Sequence, residues 1–505
     1  MKRRLLLPLL LLLAAFVQAQ NCLPSRYLKA EFPVDTLKDV IFGNAPQLTT
    51  IYISENFTNP YDLKMDIYLP QGDTLGRRPC LMMAFGGAFL IGAKEDEDVR
   101  SVCDSFARKG YVTASINYRL GLNTAINSSA ERAVWRGAQD WSAAIRFLKE
   151  KADDYGIDTN MMFIGGASAG SFGALHSQYA SDADRPASTY AQGLPFPQPD
   201  LGCKDCSGNS YTHSSQVRAI VNCWGAIGDT AWIDAQDVTP QIAFHGDVDA
   251  IVPYGYGFPF TALITLPEVY GSYSIDRRAH HVGLPSSLHT FYGEGHNIWG
   301  TVVANEFTPG PTQYWEPILD SIRGYLWTFL KPISYPIAGP GAVYEQDTVV
   351  YSVPATAGYH YCWSVDGGTI LTANPLSNTI TVRWDQAGVR AVRVRPVSHL
   401  DAVGDETSYL ILVLPMVATE IPAANAAELG LQFSRVPGGL EIEPSAASGP
   451  LTYHLRDVQG RSLRTGVSPS GVTLWIGTED LAAGMYLLHV QNRKGQLVER
   501  LMIGR

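Results

Sequence analysis

Met161-Met162-Phe163-Ile164-Gly165-Gly166-Ala167-Ser168-Ala169-Gly170 is the stretch on which the reading of this 505-residue chain turns. The apolar run Met161–Gly165 has the length of a buried strand, and Phe172–Tyr179 reads as the start of a helix. Between them, Gly166–Gly170 forms a G-x-S-x-G pattern. A strand-to-helix turn this sharp leaves no room for side chains beside the serine, and its strain pushes the hydroxyl into the open. Ser168 is therefore the candidate nucleophile, with a small-residue packing turn as the alternative.

The same texture repeats on both sides. Apolar runs of strand length at Cys80–Phe85, Val112–Asn117, Ala219–Cys223 and Ile242–Phe244 are separated by helical stretches. That alternation predicts a buried, mostly parallel sheet with crossover helices from about Asn21 to Leu330. The clearest helix is predicted over about Ala130–Tyr155. There Val134, Ala138, Trp141, Ile145 and Leu148 form one apolar stripe, with Arg136, Gln139 and Arg146 on other faces. Ser128 and Glu131 have the spacing of a capping box at its start. Asp182–Tyr211 is rich in Pro, Gly, Ser and Asp and has no periodicity. It is too long for an ordinary connection and reads either as a substrate-facing insertion or as a surface excursion.

A serine hydroxyl becomes a nucleophile only when a histidine takes its proton and a carboxylate orients that histidine. Downstream of Ser168, His245-Gly246-Asp247-Val248-Asp249 follows a predicted strand; Asp249 is the first candidate acid and Asp247 the second. The candidate bases are His280, His281, His289 and His296. His296 is preferred because it lies in the glycine-rich Gly293–Asn297 loop after the strand-like Leu288–Tyr292. Acyl transfer also places negative charge on a carbonyl oxygen, which needs fixed N–H donors. Phe85-Gly86-Gly87-Ala88-Phe89 after the first buried run, together with Ala169, can supply them.

Composition bounds the rest. With 46% hydrophobic and 17% charged residues the chain has a core to bury. A net charge of −10 disfavours nucleic acid as a partner, because phosphate binding needs a basic face. Lys2-Arg3-Arg4, the apolar Leu5–Phe16 and Val17-Gln18-Ala19 have the layout of a secretory signal peptide over residues 1–19, too short for a span. No later stretch reaches spanning length, so no transmembrane segment is expected in the mature chain. Seven cysteines remain, an odd number that leaves at least one without an intrachain partner. Cys80 and Cys223 read as buried thiols. Cys203 and Cys206 read as a local disulfide or free thiols, with zinc disfavoured because a second ligand pair is missing. After Leu330 the pattern becomes all-β. The expected domains are a catalytic unit over 20–330, a sandwich over 331–415, and a second β unit over 416–505 behind an Ala/Pro-rich linker at Pro422–Ala427.

From about Leu63 to Trp299 the chain resembles the esterase branch of the α/β-hydrolase superfamily. The likeness is carried by Met65–Pro70, Phe85–Phe89, Asn117-Tyr118-Arg119-Leu120, Gln139-Asp140, the Ser168 elbow, His245–Asp249 with Val252-Pro253-Tyr254, and Gly293–Asn297. It implies an α/β-hydrolase fold and carboxylic ester hydrolysis through an acyl-enzyme. It further implies Ser168, Asp249 and His296 as the triad, the N–H groups of Gly87, Ala88 and Ala169 as the oxyanion hole, and no metal or cofactor. Phe85 departs from the histidine of many relatives, which bears on the rigidity of its loop. Small acyl esters on plant polysaccharide, feruloyl esters and short-chain lipid esters are all compatible substrates. The alternatives are a surface adhesion protein on a vestigial hydrolase scaffold and a peptidase of the same superfamily. Residues 331–415, with Pro332–Pro336 and Tyr361–Val365, resemble an Ig-like, PKD-type sandwich. Residues 416–505, with Asp457–Arg461, Leu481–Tyr486 and the basic Arg500 and Arg505, are similar to the type A sorting domains of type IX secretion found in Bacteroidota exoproteins. That likeness implies the secretion machinery as a partner and an extracellular or outer-surface location.

Overall fold

The computed structural model describes Cys22, residues 25–49, Tyr52, and residues 54–193, 197–261, 264–374, 376–415 and 423–503. The signal-peptide reading of residues 1–19 falls outside them.

Eight strands form the central sheet: β1 (Val34–Leu48), β2 (Thr58–Pro70), β3 (Arg78–Ala84), β4 (Val112–Ile116), β5 (Ile157–Ala167), β6 (Ala219–Cys223), β7 (Gln241–Gly246) and β8 (Ser286–Phe291). Their order is β1-β2-β4-β3-β5-β6-β7-β8. The β1/β2 and β2/β4 pairs are antiparallel and all the others parallel. The apolar runs read from the sequence are the inner strands, and every residue of β4, β6 and β7 is buried, as a sheet covered on both faces requires. The helices are α1 (Glu97–Ala107), α2 (Ser128–Glu150), α3 (Ala169–Tyr179), α4 (Ser272–Val282) and α5 (Trp315–Leu330). This mixed sheet fits an α/β-hydrolase fold. Because β5, β7 and β8 are parallel, the loops after their C-terminal ends gather along one edge, where sites form in such folds.

Helix α2 corrects two expectations. It begins at Ser128 and ends at Glu150, with a separate turn at Ala152–Tyr155. The capping box does not form: the Ser128 hydroxyl meets the Gln198 amide at 3.2 Å, and Glu131 accepts from the Ser188 hydroxyl. Both partners lie in the Asp182–Tyr211 insertion, and the polar face of α2 is what binds it. Arg132 donates to the carbonyls of Ser188 (2.8 Å) and Pro199 (2.7 Å), Gln139 to that of Leu201 (2.7 Å), and Arg146 to Asp205 and the Ser207 carbonyl (both 2.8 Å). Glu55 joins Arg132 and Arg136 in a buried ion cluster beneath. The insertion is thus a strapped layer carrying three short helical turns and the Cys203–Cys206 disulfide.

Two β units follow. Strands Ala342–Tyr344, Thr407–Leu414, Gly388–Val397 and His360–Asp366 form one sheet, and Thr348–Ser352, Thr379–Trp384 and Gly368–Ile370 a second; Tyr351, Trp384, Val392 and Ile411 are buried between them. The last unit pairs a three-stranded with a four-stranded sheet around its own core, including Ile442, Leu455 and Val490. Of the linker expected at Pro422–Ala427, Pro422 lies outside the described residues and the rest belongs to a short helix, Ala423–Glu428. The first β unit is docked on the unit that holds the eight-stranded sheet. Leu400 and Ala402 enter its hydrophobic core, the Leu400 carbonyl accepts from Tyr27 at 2.7 Å, and His399 meets Asp158 at 2.9 Å. A Cys22–Cys362 disulfide closes the same junction. Cys80, Cys103 and Cys223 are buried thiols.

Candidate active site

Ser168 sits between the end of β5 and the first residue of α3, with φ +50° and ψ −116°. A non-glycine residue with positive φ is held against a conformational cost, and its neighbours show how. The Ser168 N–H donates to the Cys223 carbonyl at 2.9 Å, and the Phe172 N–H donates back to the Ser168 carbonyl at 3.0 Å. Gly170 packs so closely under the end of β3 that a Cβ there would lie 2.3 Å from the Ala84 carbonyl oxygen. The turn therefore closes only with glycine at this position.

The loops after β7 and β8 complete the arrangement. His296 Nε2 lies 3.0 Å from Ser168 Oγ, and His296 Nδ1 lies 2.6 Å from Asp249 Oδ2. Asp249 Oδ1 accepts the N–H groups of Ile251 (2.8 Å) and Val252 (3.0 Å), which fixes the plane of the carboxylate. Burial would raise the pKa of Asp249, but hydrogen bonds from His245 and His296 outweigh it and hold the carboxyl well below the usual carboxylate range. Asp247, the second candidate acid, instead accepts the Gly293 N–H at 2.6 Å and shapes the histidine loop. Neither His280, exposed on α4 beside Asp276, nor His289, stacked on Phe244 in β8, reaches Ser168. His281 is exposed on the same helix.

The loop after β3 is the most contorted part of the site. Gly87, Ala88 and Phe89 have φ values of +104°, +54° and +57° in succession. A Cβ on Gly87 would fall 2.1 Å from the Ile91 carbonyl oxygen, so the loop needs glycine there. Phe85 stacks on Tyr118 at 4.4 Å, and the Tyr118 hydroxyl donates a shared hydrogen bond to the carbonyls of Phe85 (2.9 Å) and Gly86 (3.1 Å). The aromatic stack thus braces a loop whose rigidity the sequence left in question. Ala88 and Ala169 line the same cavity as Ser168, with Gly87 one residue behind. Ala169 opens α3, so its N–H has no partner within the helix. Tyr118 was legible only as part of a motif. Its neighbours Arg119 and Asp140 form a buried ion pair at 2.8 Å that ties the end of β4 to α2.

A cavity of about 300 Å³ opens beside Ser168. Its wall is apolar, with Phe89, Val134, Trp135, Phe172, Trp232, Phe260 and Leu266, and its ionisable residues are Glu131, His176, Asp229 and Glu268. His176 hydrogen-bonds the Phe172 carbonyl at 2.7 Å, and burial pushes its pKa down to about 4, so it is neutral at ordinary pH. Among the described residues no group of three or more His, Cys, Asp or Glu is placed to hold a metal. Cys203 and Cys206 are bonded to each other, and His213 pairs with Glu150.

Residues 65–237 match the family model BD-FAE, an α/β-hydrolase esterase family, and that stretch is similar to it. Gut esterase 1 of Caenorhabditis elegans is 25% identical over 183 residues, 35% of this chain and 30% of its own length. Carboxylesterase 3B of Mus musculus is 30% identical over 131 residues, 26% of this chain and 22% of its own. The chain therefore spans less than a third of the curated relatives it matches. Among solved structures, the Est2 esterase of Thermogutta terrifontis is 19% identical with a TM-score of 0.37, covering 57% of this chain and 92% of its own. A truncated carbohydrate esterase from gut microbiota is 18% identical with a TM-score of 0.38, covering 59% and 97%.

Proposed function

We propose that this protein is a serine carboxylesterase. The observation that carries the reading is the unbroken run from Ser168 Oγ through His296 to the buried Asp249, with separations of 3.0 and 2.6 Å. As Ser168 Oγ attacks the ester carbonyl, its proton passes to His296 Nε2. The imidazolium keeps Nδ1–H on Asp249, which stays anionic because four polar groups solvate its charge. The carbonyl oxygen becomes an oxyanion held by the N–H groups of Ala88 and Ala169, with Gly87 supporting the loop or donating as a third. Collapse expels the alcohol, which takes its proton from His296. Water then repeats the sequence on the acyl-enzyme and returns Ser168.

The apolar cavity suits the acyl group. Among the described residues no lysine or arginine lines it and three carboxylates do, so neutral acyl groups are favoured over anionic ones. Acyl or feruloyl esters on plant polysaccharide fit that chemistry. By its sequence resemblances the protein is exported through its N-terminal segment and directed by its last β unit to type IX secretion, ending outside the cell or on its outer surface. The test is hydrolysis of p-nitrophenyl acetate by the full chain and by Ser168→Ala. Turnover should vanish in the variant with its melting temperature kept; undiminished turnover would refute the assignment. Graded p-nitrophenyl esters, methyl ferulate and acetylated xylan then rank the acyl groups.

A further inference from the structure

His245, the first residue of the His245–Asp249 motif, exchanges no proton in the mechanism above, yet it is fully buried against the acid. Its Nε2 lies 3.3 Å from Asp249 Oδ2 and 3.1 Å from the Val252 carbonyl oxygen, and its Nδ1 lies 2.7 Å from the hydroxyl of Ser272, the first residue of α4. We propose that His245 is a positioning residue of the ester-cleaving site, its Nε2–H shared between the Val252 carbonyl and Asp249 Oδ2 so that the carboxylate stays in place and aimed at His296. This rests on the esterase reading.

The hydrogen-bond inventory fixes the tautomer. The Asn222 side-chain oxygen accepts the Gly225 N–H at 2.9 Å, which turns its NH₂ group toward Ser272 Oγ at 3.2 Å. With that donor on its oxygen, Ser272 has two acceptors in reach, His245 Nδ1 at 2.7 Å and the Gly225 carbonyl at 3.4 Å, and directs its proton to the nearer, His245 Nδ1. The Val252 carbonyl only accepts, so Nε2 of His245 carries the hydrogen. The result is a buried chain from β6 through α4 to β7: Asn222 to Ser272, Ser272 to His245, His245 to Asp249.

Each Asp249 oxygen thus faces two donors. Oδ1 takes the two backbone N–H groups; Oδ2 takes His296 at 2.6 Å and lies 3.3 Å from His245 Nε2, whose hydrogen it shares with the Val252 carbonyl. Without His245, Oδ2 would face His296 alone, inside a pocket where burial favours the protonated acid. A carboxyl that takes up a proton, or rotates, no longer stabilises the imidazolium formed as Ser168 attacks. The bond from His245 also contributes to the lowered pKa of Asp249.

The test compares full-length His245→Phe, His245→Gln and Ser272→Ala with the parent on p-nitrophenyl acetate, with Ser168→Ala as the inactive reference and melting temperature as the fold check. A glutamine amide can put an N–H near the Nε2 position; phenylalanine fills the space without a donor. His245→Phe should lower kcat by about 10–100-fold with KM within about 2-fold, the cost typical of removing a partner that orients a functional group. His245→Gln should recover most of that loss. Ser272→Ala should lower kcat by a smaller factor, because His245 can then carry its proton on either nitrogen. The downfield proton resonance of the His296–Asp249 bond should move in His245→Phe and stay in His245→Gln. A folded His245→Phe with parental kcat, or a His245→Gln no better than His245→Phe, overturns the proposal. Should His245→Phe not fold, parental kcat in Ser272→Ala overturns it. Failure of the esterase reading would look different, since Ser168→Ala would then match the parent.

Discussion

Replacing Asp98 by asparagine should make the protein more stable, and increasingly so as the pH rises. Asp98 lies in the first turn of α1, only 6% exposed, with one oxygen on the Val99 N–H at 2.8 Å and Trp299 beside it. A helix N-terminus ordinarily favours a carboxylate. Here burial dominates, and Asp96 adds repulsion, so the pKa climbs from 3.8 to about 7. Below pH 4 the group is protonated in both folded and unfolded chains and costs nothing. Between about 4 and 7 the unfolded chain ionises and the folded one does not, so stability falls with rising pH until the folded carboxyl ionises too. At about 1.4 kcal/mol per pKa unit the whole loss is on the order of 4 kcal/mol, and about two thirds of it falls between pH 5 and 8. Asparagine keeps the shape and never ionises. For a unit of about 300 residues the difference in melting temperature between Asp98→Asn and the parent should widen by about 4 °C from pH 5 to pH 8. Differential scanning fluorimetry across that range reads it directly. A gap that stays constant, or narrows, would show that Asp98 is ionised in the folded protein and that burial does not govern it.

Tyr118→Phe keeps the stack on Phe85 but deletes the hydroxyl that braces the carbonyls of Phe85 and Gly86. It should lower kcat on p-nitrophenyl acetate by about 10-fold with little change in KM, as a slackened oxyanion loop does; steady-state kinetics checks this. Truncation after Leu330 removes Leu400 and Ala402 from the catalytic core and strands the Tyr27 hydroxyl, so the shortened chain should melt lower or aggregate, measured by scanning fluorimetry and light scattering. Cys22→Ser with Cys362→Ser should lower the melting temperature of the docked pair in line with the loss of about 2–5 kcal/mol typical of a long-range disulfide.

The geometry of the candidate site was legible where it is encoded locally. Ser168 is announced by glycines at fixed offsets, and Asp249 and His296 each follow a recognisable strand end. What escaped the sequence is encoded between distant elements. Ser128 and Glu131 have capping-box spacing, yet the insertion recruits both, because partners 70 and 57 residues away compete for the same oxygens. Arg132, Gln139 and Arg146 break the apolar pattern of α2 without facing solvent, since the carbonyls they serve belong to a segment with no periodicity to read. His245 stood in plain view, but its partners Ser272 and Asn222 lie in other elements. The Cys22–Cys362 pair spans 340 residues, beyond any spacing rule.

That disulfide also decides what a protease can do to the molecule. Every peptide bond between Cys22 and Cys362 lies inside one covalent ring, so a single cut anywhere in the catalytic unit, in the insertion or in the connection to the first β unit releases nothing. A nicked molecule would migrate as one band until it is reduced, and the Ser168, Asp249 and His296 loops, held by the sheet rather than by the intact chain, could go on working. Resistance to the first cut is a useful property for an enzyme proposed to operate outside the cell.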